Sequence, residues 1–376
     1  MIDSIRLQNY RSYKDDSFEF DRGVNIVIGP NTSGKTNLLE AILMLASGRS
    51  YRARDFDLLQ FDAPWSRLDG YFGKHQRVVK LVPNNPLQGR ALQKGMLHHN
   101  SRFAGLGLAN TNRVIKELVL DGKSFKRLSL ERSVPVVLFE PNHLQLLIRG
   151  PEHRRQCFDD ILERSKPGFK SLSARYRRAL AQRNSLLKQP PDRAKKQLFA
   201  WNIRLSELGA QIASARQELI EDINQAVAKT YSRIAGRRST VELIYDSQFK
   251  LDNYSSRLLA KLEATAETDF ARGFTTYGPH REDITAYLNK QPAGISASRG
   301  ETRSLVLALK LFELKRLEAG RDQKPIFLLD DVFSELDGAR RRHLVDNLKG
   351  YQTIITTTDA DAVLEYFSKN HHLISL

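Results

Sequence analysis

The fold of this 376-residue chain is decided by the stretch Gly29-Pro30-Asn31-Thr32-Ser33-Gly34-Lys35-Thr36. Its two glycines, followed by Lys-Thr, form a phosphate-binding loop whose backbone N–H groups wrap phosphates. In such a loop the lysine reaches the outer phosphates and the threonine hydroxyl binds Mg²⁺. The apolar run Val24–Ile28 precedes the loop and a helical apolar period follows it, which predicts a strand, the loop and a helix in that order.

The loop also predicts the residues of a nucleotide site. Lys35 is expected to be catalytic as well as binding, because its charge lies against the outer phosphates. Thr32 stands where such loops usually carry glycine, which costs some backbone freedom. We expect the nucleotide to contact Gly29, Pro30, Asn31, Thr32, Ser33, Gly34, Lys35, Thr36 and Asn37.

A second apolar strand ends in two carboxylates. Residues 325–329 are followed by Asp330 and Asp331, and the ligands of an open α/β sheet bind at the carboxyl ends of its strands. Asp330 is therefore expected to share a magnesium ion with Thr36. Asp331 is expected to be the catalytic residue that orients or deprotonates the attacking water. An acidic pair after a buried strand is also a common device for starting a helix, so this assignment depends on the loop.

Composition narrows the class of protein. Lysine and arginine number 59 against 43 acidic residues, which gives a formal net charge of +16 at pH 7. That balance suits a polyanionic partner, although a basic enzyme of another kind would share it. One cysteine excludes an intrachain disulfide and a Cys-rich metal cluster. No signal-peptide pattern and no apolar run of about 20 residues is present, so we predict a soluble, cytoplasmic protein without a membrane partner.

The pattern of strands and helices predicted along the sequence indicates an α/β protein with a mixed sheet plus helices and an inserted helical lobe. We expect residues 1–150 to form the first part of a head, 151–271 the helical lobe or short arm, and 272–376 the rest of the head. Within the lobe, residues 192–235 carry apolar side chains at alternating spacings of three and four. A helix of that length spans roughly 65 Å, which is far too short for a long coiled-coil tether.

Three further residues complete a resemblance to the ABC ATPase superfamily. Ser298, Gly300 and Glu301 lie at the start of a helical run, before the acidic strand, and resemble the signature that approaches the γ-phosphate bound by the opposite subunit. Arg299 replaces the usual first glycine of that signature, and residues 334–337 resemble the D-loop. Transporter ATPases carry a glutamate where this chain has Asp331 and a histidine where it has Thr358. These two departures lead us to expect slow hydrolysis.

At finer resolution the chain resembles the RecF family over nearly its whole length. The segments that carry the resemblance are residues 7–13, 29–42, 48–52, 150–155, 277–283 and 329–337. The resemblance implies an ABC head with a helical lobe that binds ATP and Mg²⁺, forms an ATP-dependent homodimer, and binds double-stranded and gapped or single-stranded DNA. It also implies that RecR and RecO are partners in loading RecA. In related SMC-like heads a basic residue near the first strand approaches the nucleotide, which makes Arg11 a candidate.

Several arginines are compatible with a DNA partner, although for any one of them a solvated helix face is the favoured interpretation. The candidates are Arg49, Arg52 and Arg54 in the head and Arg175, Arg177 and Arg178 in the lobe.

Three other functions remain as alternatives. They are a transport ATPase subunit, an SMC-like structural tether, and a DNA-binding protein whose nucleotide site is a relic. The inserted lobe and missing histidine count against the first, the short arm against the second, and the intact site residues against the third.

Overall fold

The computed structural model describes residues 1–84, 114–359, 361–367 and 371–376. These residues form two compact units, one of Met1–Pro141 with Arg321–Leu376 and one of Asn142–Gly320. Residues 272–320, which we expected to belong with the head, lie in the second unit together with the helical lobe. The cause is local packing, since a strand within residues 272–320 pairs with a strand of that lobe and a helix within the same residues packs against its long helix.

The elements follow the chain in the order given by their labels. The strands are β1 (Ser4–Tyr10), β2 (Tyr13–Glu19), β3 (Val24–Ile28), β4 (Ser66–Phe72), β5 (His75–Pro83), β6 (Val114–Leu120), β7 (Lys123–Phe125), β8 (Val136–Phe139), β9 (Val241–Asp246), β10 (Asp283–Leu288), β11 (Gln291–Pro292), β12 (Ile326–Asp330), β13 (Thr353–Thr357) and β14 (His371–Ser375). The helices are α1 (Lys35–Ser47), α2 (Pro151–Ser165), α3 (Phe169–Leu186), α4 (Pro191–Ala235), α5 (Tyr254–Ala264), α6 (Ala266–Arg272), α7 (Ala293–Ser296), α8 (Arg299–Ala319), α9 (Gly338–Leu348) and α10 (Asp361–Leu364).

A parallel sheet positions the candidate site in the first unit. Its strand order is β14-β3-β13-β12-β8, so β13 lies between the strand before the phosphate-binding loop and the strand before the two aspartates. Every residue of β12 and β13 is buried, as expected for strands covered on both faces. Because all these strands run in the same direction, their carboxyl ends meet at one edge.

An antiparallel sheet and one helix complete this unit. The sheet has the order β2-β1-β4-β5-β6-β7. Helix α1 contacts β4 and β5 of this sheet and β12 and β13 of the parallel sheet. Its side chains Leu38, Leu39, Ile42 and Leu45 are at most 1% exposed, because a helix between two sheets buries most of its circumference. Packing against both sheets therefore holds α1 in its position within the unit.

The second unit is organised around α4, whose 45 residues span about 67 Å at 1.5 Å per residue. Its buried face includes Leu198, Leu205, Ile212 and Leu219, so the predicted spacing does place these side chains on a packed face. Helix α4 packs against α3, α5, α8 and β9. The three-stranded sheet β11-β10-β9 joins the segment before α8 to the strand that follows α4, which explains why residues 272–320 belong to this unit.

A buried ion pair joins helices of the second unit. The Arg183 guanidinium and the Asp269 carboxylate are fully buried and lie 2.7 Å apart. Arg183 also donates to Asn202 Oδ1 at 2.7 Å and to Thr275 Oγ1 at 2.8 Å. A charge in the interior needs such saturation of its donors. The pair therefore ties α3 to α4 and to the chain around α6.

Candidate nucleotide site

The phosphate-binding loop joins the carboxyl end of β3 to the first residue of α1. Gly34 takes φ 109°, a conformation that favours glycine, and a Cβ there would lie 2.8 Å from the Ser12 hydroxyl. The Lys35 ammonium is almost fully buried and donates to the carbonyls of Gly29 at 2.6 Å and Pro30 at 2.8 Å. Among the described residues no side chain caps α1, and its first turn holds no acid. Its N–H groups therefore suit an anion.

Thr36 and Asp330 meet as the sequence predicted. Thr36 Oγ1 lies 3.0 Å from Asp330 Oδ1 and 2.8 Å from Asp330 Oδ2. A hydroxyl and a carboxylate are hard oxygen ligands of the kind that Mg²⁺ prefers when phosphates and water complete its shell. Within the described part of the chain no group of three or more His, Cys, Asp or Glu side chains is placed to hold a metal. The donor set therefore fits a cation shared with a phosphate.

Asp331 turns out of the strand beside this pair. Its φ of 51° is unusual for a residue other than glycine, and its N–H donates to the carbonyl and the hydroxyl of Thr356 at 3.2 and 3.0 Å. Burial and, second, the neighbouring Asp330 charge raise the pKa of the Asp331 carboxyl. A higher pKa makes the carboxylate a stronger acceptor of a proton from water.

Thr356 is a site residue that sequence reasoning missed. Its hydroxyl donates to Asp330 Oδ1 at 2.8 Å while accepting from the Asp331 N–H. The sequence gives no sign of this role, since the alignment of Thr356 with Asp330 depends on the register between β12 and β13. Thr357, next along the strand, bonds instead to the backbone of Asp359.

Arg11 and Arg52 both contact one buried acid, Glu40. Arg11 Nε donates to Glu40 Oε2 at 3.0 Å, Arg52 Nη2 donates to the same oxygen at 3.1 Å, and Ser50 Oγ donates to Oε1 at 2.5 Å. Arg52 also donates to Asn37 Oδ1 at 2.8 Å. The cluster links the turn after β1 to the first turns of α1. Glu40 was not identified from the sequence, because the sequence shows only a charged residue within a predicted helix and does not show that this residue is buried.

The remaining candidate DNA contacts lie at the surface. Arg49 and Arg54 are exposed in the first unit, and Arg175, Arg177 and Arg178 are exposed on α3 in the second unit. The guanidinium of Arg52 is held by Glu40 and Asn37.

The signature segment begins α8 in the second unit. Ser298 is the N-cap: its hydroxyl accepts from the Glu301 N–H at 3.3 Å, and the Glu301 carboxylate accepts from the Ser298 N–H at 2.8 Å. This reciprocal capping box fixes the start of the helix. Arg237, just beyond the end of α4, also pairs with the Glu301 carboxylate. Hydrogen bonds from Ser298 and the charge of Arg237 lower the pKa of Glu301, so this carboxyl is ionised at neutral pH.

Comparison with known proteins shows the family to which this chain belongs. A family model described as the RecF/RecN/SMC N terminal domain matches residues 1–374. The DNA replication and repair protein RecF of Tropheryma whipplei (strain TW08/27) is 33% identical over 369 residues, covering 96% of this chain and 92% of that protein. This chain belongs to the RecF family. RecF of Bacillus cytotoxicus (strain DSM 22905 / CIP 110041 / 391-98 / NVH 391-98) is 30% identical over 373 residues, covering 96% of this chain and 93% of that protein.

Solved structures confirm the predicted α/β fold. A RecF structure with ATP, described as the recombination mediator of the RecFOR pathway, matches with a TM-score of 0.80 and 27% identity, covering 95% of this chain and 92% of that chain. An Smc head bound to the C-winged helix domain of ScpA matches with a TM-score of 0.51 and 15% identity, covering 97% and 91%. The second likeness concerns the fold alone.

Two of the segments that carry the RecF resemblance meet within the second unit. Arg154 of the first segment, residues 150–155, lies 2.5 Å from Asp283 of the second, residues 277–283. Glu282 of the second segment is buried and accepts hydrogen bonds from the hydroxyls of Tyr245 and Tyr254. Both segments therefore contribute polar contacts within the second unit. None of the described helices is long and apolar enough to cross a membrane.

Proposed function

We propose that this RecF-family chain binds ATP and Mg²⁺ at the edge formed by β3 and β12, and hydrolyses ATP slowly. The observation that carries the proposal is the contact of Thr36 with Asp330, with Asp331 adjacent. The buried Lys35 ammonium and the open N-terminus of α1 supply positive potential for a triphosphate. Thr36 and Asp330 would hold magnesium, which neutralises phosphate charge when bound.

Hydrolysis would proceed by in-line attack of water on the γ-phosphorus. Asp331 orients this water and accepts its proton as the new P–O bond forms, while the bond to the bridging oxygen breaks and ADP leaves. Lys35 stabilises charge on the outer phosphates. An aspartate is shorter than the glutamate usual in transporter ATPases, so its reach to the water is less favourable. We therefore expect turnover well below that of transporter enzymes.

The site is proposed to be half of a composite one. Gly300 lies in the first turn of α8, directly after the N-cap Ser298, and the N–H groups at a helix N-terminus suit a phosphate. Ser298, Gly300 and Glu301 of one chain would complete the site of a second chain, so that ATP draws two copies together. Arg11 is proposed to assist at the nucleotide, although its guanidinium is shared with Glu40.

The biological role is proposed from family membership. The related RecF protein is described as a recombination mediator in the RecFOR pathway, and we infer that the present chain acts at duplex and gapped DNA with RecR and RecO. The dimer would hold DNA while ATP is bound and release it after hydrolysis. Exposed arginines of both units would contact phosphates, namely Arg49, Arg52, Arg54, Arg175, Arg177 and Arg178.

The test combines dimerisation with DNA binding. Sedimentation velocity with Mg²⁺ and ATP should show a dimer for the unmodified chain and a monomer for Lys35→Ala and Ser298→Ala. Binding to duplex, single-stranded and gapped DNA should then be measured with and without ATP over a range of salt concentrations, because plain charge attraction falls steeply with salt. Intact dimerisation in both variants, or identical DNA binding with and without ATP, would contradict the proposal.

A further inference from the structure

Basic residues are concentrated in one part of the second unit. Residues 164–206 contain twelve lysines and arginines but a single acid, Asp192. Arg164, Lys166 and Arg183 are paired with acids elsewhere in the unit. Most of the others project from α3, from the turn after it and from the first part of α4, and are exposed. This region, the basic arm (residues 164–206), therefore carries a dense positive charge.

A groove runs between α3 and α4 in the basic arm. It encloses about 510 Å³, and the side chains that matter here are Arg175, Arg178 and Gln182 from α3 and Trp201 and Arg204 from α4. Spacings of three and four residues place the α3 side chains along one side of the groove. Among the residues that the structure describes, neither Arg175 nor Arg178 makes an ion pair, and both are exposed. Arg204 makes only an exposed contact with Glu207 at 3.3 Å.

Trp201 is held in place by the packing beneath it. The residue is half-buried and packs against a small apolar cluster made of Leu186, Leu187, Ala194 and Leu198, and it also lines the groove. An indole fixed in this way, beside uncompensated guanidinium groups, is the combination with which proteins bind unpaired bases. The aromatic ring supplies a stacking surface, and the arginines supply phosphate contacts on either side.

We propose that the α3–α4 groove binds single-stranded nucleic acid, with an unpaired base against Trp201 and the flanking phosphates on Arg175 and Arg178. The inference rests on the proposed DNA-binding function and names the strand type and the site. A nucleic acid is favoured over an acidic peptide because the exposed basic residues extend from Lys170 on α3, through Lys188 in the turn after it, to Lys196 on α4, a length of 27 residues. A polymer with one charge per repeat matches that length better than a short acidic motif does.

The chain offers its own reporter for the test. It contains two tryptophans, so Trp65→Phe leaves Trp201 as the only indole. Titration of this variant with an oligothymidylate of about 12 nucleotides should quench the emission to saturation. A strand of the same length without bases keeps the phosphates but cannot stack, and should produce little quenching. A duplex of equal charge should also produce little quenching, because its bases are already stacked.

Affinity variants separate stacking from charge and from folding. Trp201→Leu retains an apolar side chain for the cluster and removes the ring, and should weaken binding of the single strand about tenfold while changing duplex binding little. Phe199→Leu is the matched control, since Phe199 lies on the same helix, is exposed and does not line the groove. Arg175→Gln with Arg178→Gln should weaken binding and reduce its salt dependence. Thermal unfolding of each variant verifies that the helices still pack.

Each remaining outcome has a distinct meaning. Equal quenching by the strand with and without bases would overturn stacking. An acidic peptide of matched charge that displaces the oligonucleotide as well as unlabelled strand does would assign the groove to a protein partner and overturn the proposal. Unchanged single-strand affinity in a folded Trp201→Leu protein would overturn the assignment of the groove as the single-strand site, without contradicting the proposed DNA-binding function. Failure of the unmodified chain to bind any DNA would instead contradict the function on which the inference rests.

Discussion

The hydroxyl of Thr356 donates a hydrogen bond to Asp330 Oδ1 over 2.8 Å. The same hydroxyl accepts a hydrogen bond from the backbone N–H of Asp331, so one side chain of β13 contacts both Asp330, the last residue of β12, and the residue after it. Thr356 is fully buried, and a hydrogen bond to a charged group in such a place contributes more than one between neutral groups. Its role is to fix the direction of the Asp330 carboxylate and the backbone position of Asp331.

Replacing Thr356 by valine should therefore impair ATP hydrolysis more than folding. Thr356→Val keeps the volume and removes the hydroxyl, which frees the Asp330 carboxylate to turn. We expect several-fold slower hydrolysis, a higher Mg²⁺ requirement and a loss of about 1–2 kcal/mol in the free energy of unfolding. Steady-state ATPase rates over a Mg²⁺ titration and urea unfolding would measure the two effects.

Thr357 provides the matched control for this variant. It is equally buried on the same strand but bonds to the Asp359 backbone. Thr357→Val should lose comparable stability with no change in the Mg²⁺ requirement, and Thr356→Ser should behave like the unmodified chain. Identical Mg²⁺ curves for the two valine variants would show that Thr356 does not position the Asp330 carboxylate.

The sequence predicted much of the site because its main features are local. Val24–Ile28 is a strand with the bounds expected from its apolar content. The meeting of Thr36 with Asp330 followed from the rule that parallel strands bring their carboxyl ends to one edge. The long helix begins one residue before the predicted position, at Pro191, since its apolar period and the proline pair mark it clearly.

The rest depended on contacts between residues distant in sequence. Thr356 meets Asp330 only because β13 is in one particular register with β12, and the identity of neither residue specifies that register. Strand β2 escaped prediction because most of its residues are polar and exposed. The placement of residues 272–320 in the second unit follows from the pairing of β10 with β9. This pairing crosses the boundary between residues 271 and 272 that the sequence pattern predicted.

Thr32 should respond to substitution in a way opposite to most loop residues. Its φ is 72°, a left-handed conformation that costs an L-residue about 1–2 kcal/mol. Glycine adopts this conformation freely but loses about 0.5–1 kcal/mol through greater freedom of the unfolded chain. We expect Thr32→Gly to raise the free energy of unfolding by up to about 1 kcal/mol. Thr32→Ala retains a Cβ and should gain less, and a clear destabilisation by glycine in urea unfolding would contradict the strain.

The pH dependence of hydrolysis should report on Asp331. Only the ionised carboxylate can accept a proton from water, so activity should fall as pH falls through the pKa of Asp331. Because burial and the Asp330 charge raise that pKa, the acid limb of the single-turnover rate should lie at higher pH than for an ordinary aspartate. Asp331→Asn should lower the rate about 100-fold and abolish the limb.

Stability measurements distinguish this role from a structural one. A carboxyl whose pKa is raised by folding is harder to ionise in the folded chain than in the unfolded chain, so its ionisation reduces stability as pH rises through that window. Asp331→Asn should therefore unfold at no lower temperature than the unmodified chain at neutral pH. A variant that is both inactive and markedly less stable would point to a structural role.

The ion pair of Arg237 with Glu301 should matter for dimerisation and little for folding. The pair is partly exposed, with side chains 55% and 22% accessible, and such pairs contribute about 0–1 kcal/mol to stability. Glu301 nevertheless lies in the segment proposed to approach the phosphates of a second chain, where an uncompensated negative charge would repel them. We expect Arg237→Gln to weaken ATP-dependent dimerisation several-fold, as followed by sedimentation velocity, with an unchanged unfolding temperature and unchanged ATP binding by the monomer.

Arg238→Gln removes a neighbouring exposed charge and should have little effect. Adding Glu301→Gln to Arg237→Gln removes the uncompensated charge, so the double variant should recover dimerisation; no recovery would mean that Arg237 acts other than by neutralising Glu301.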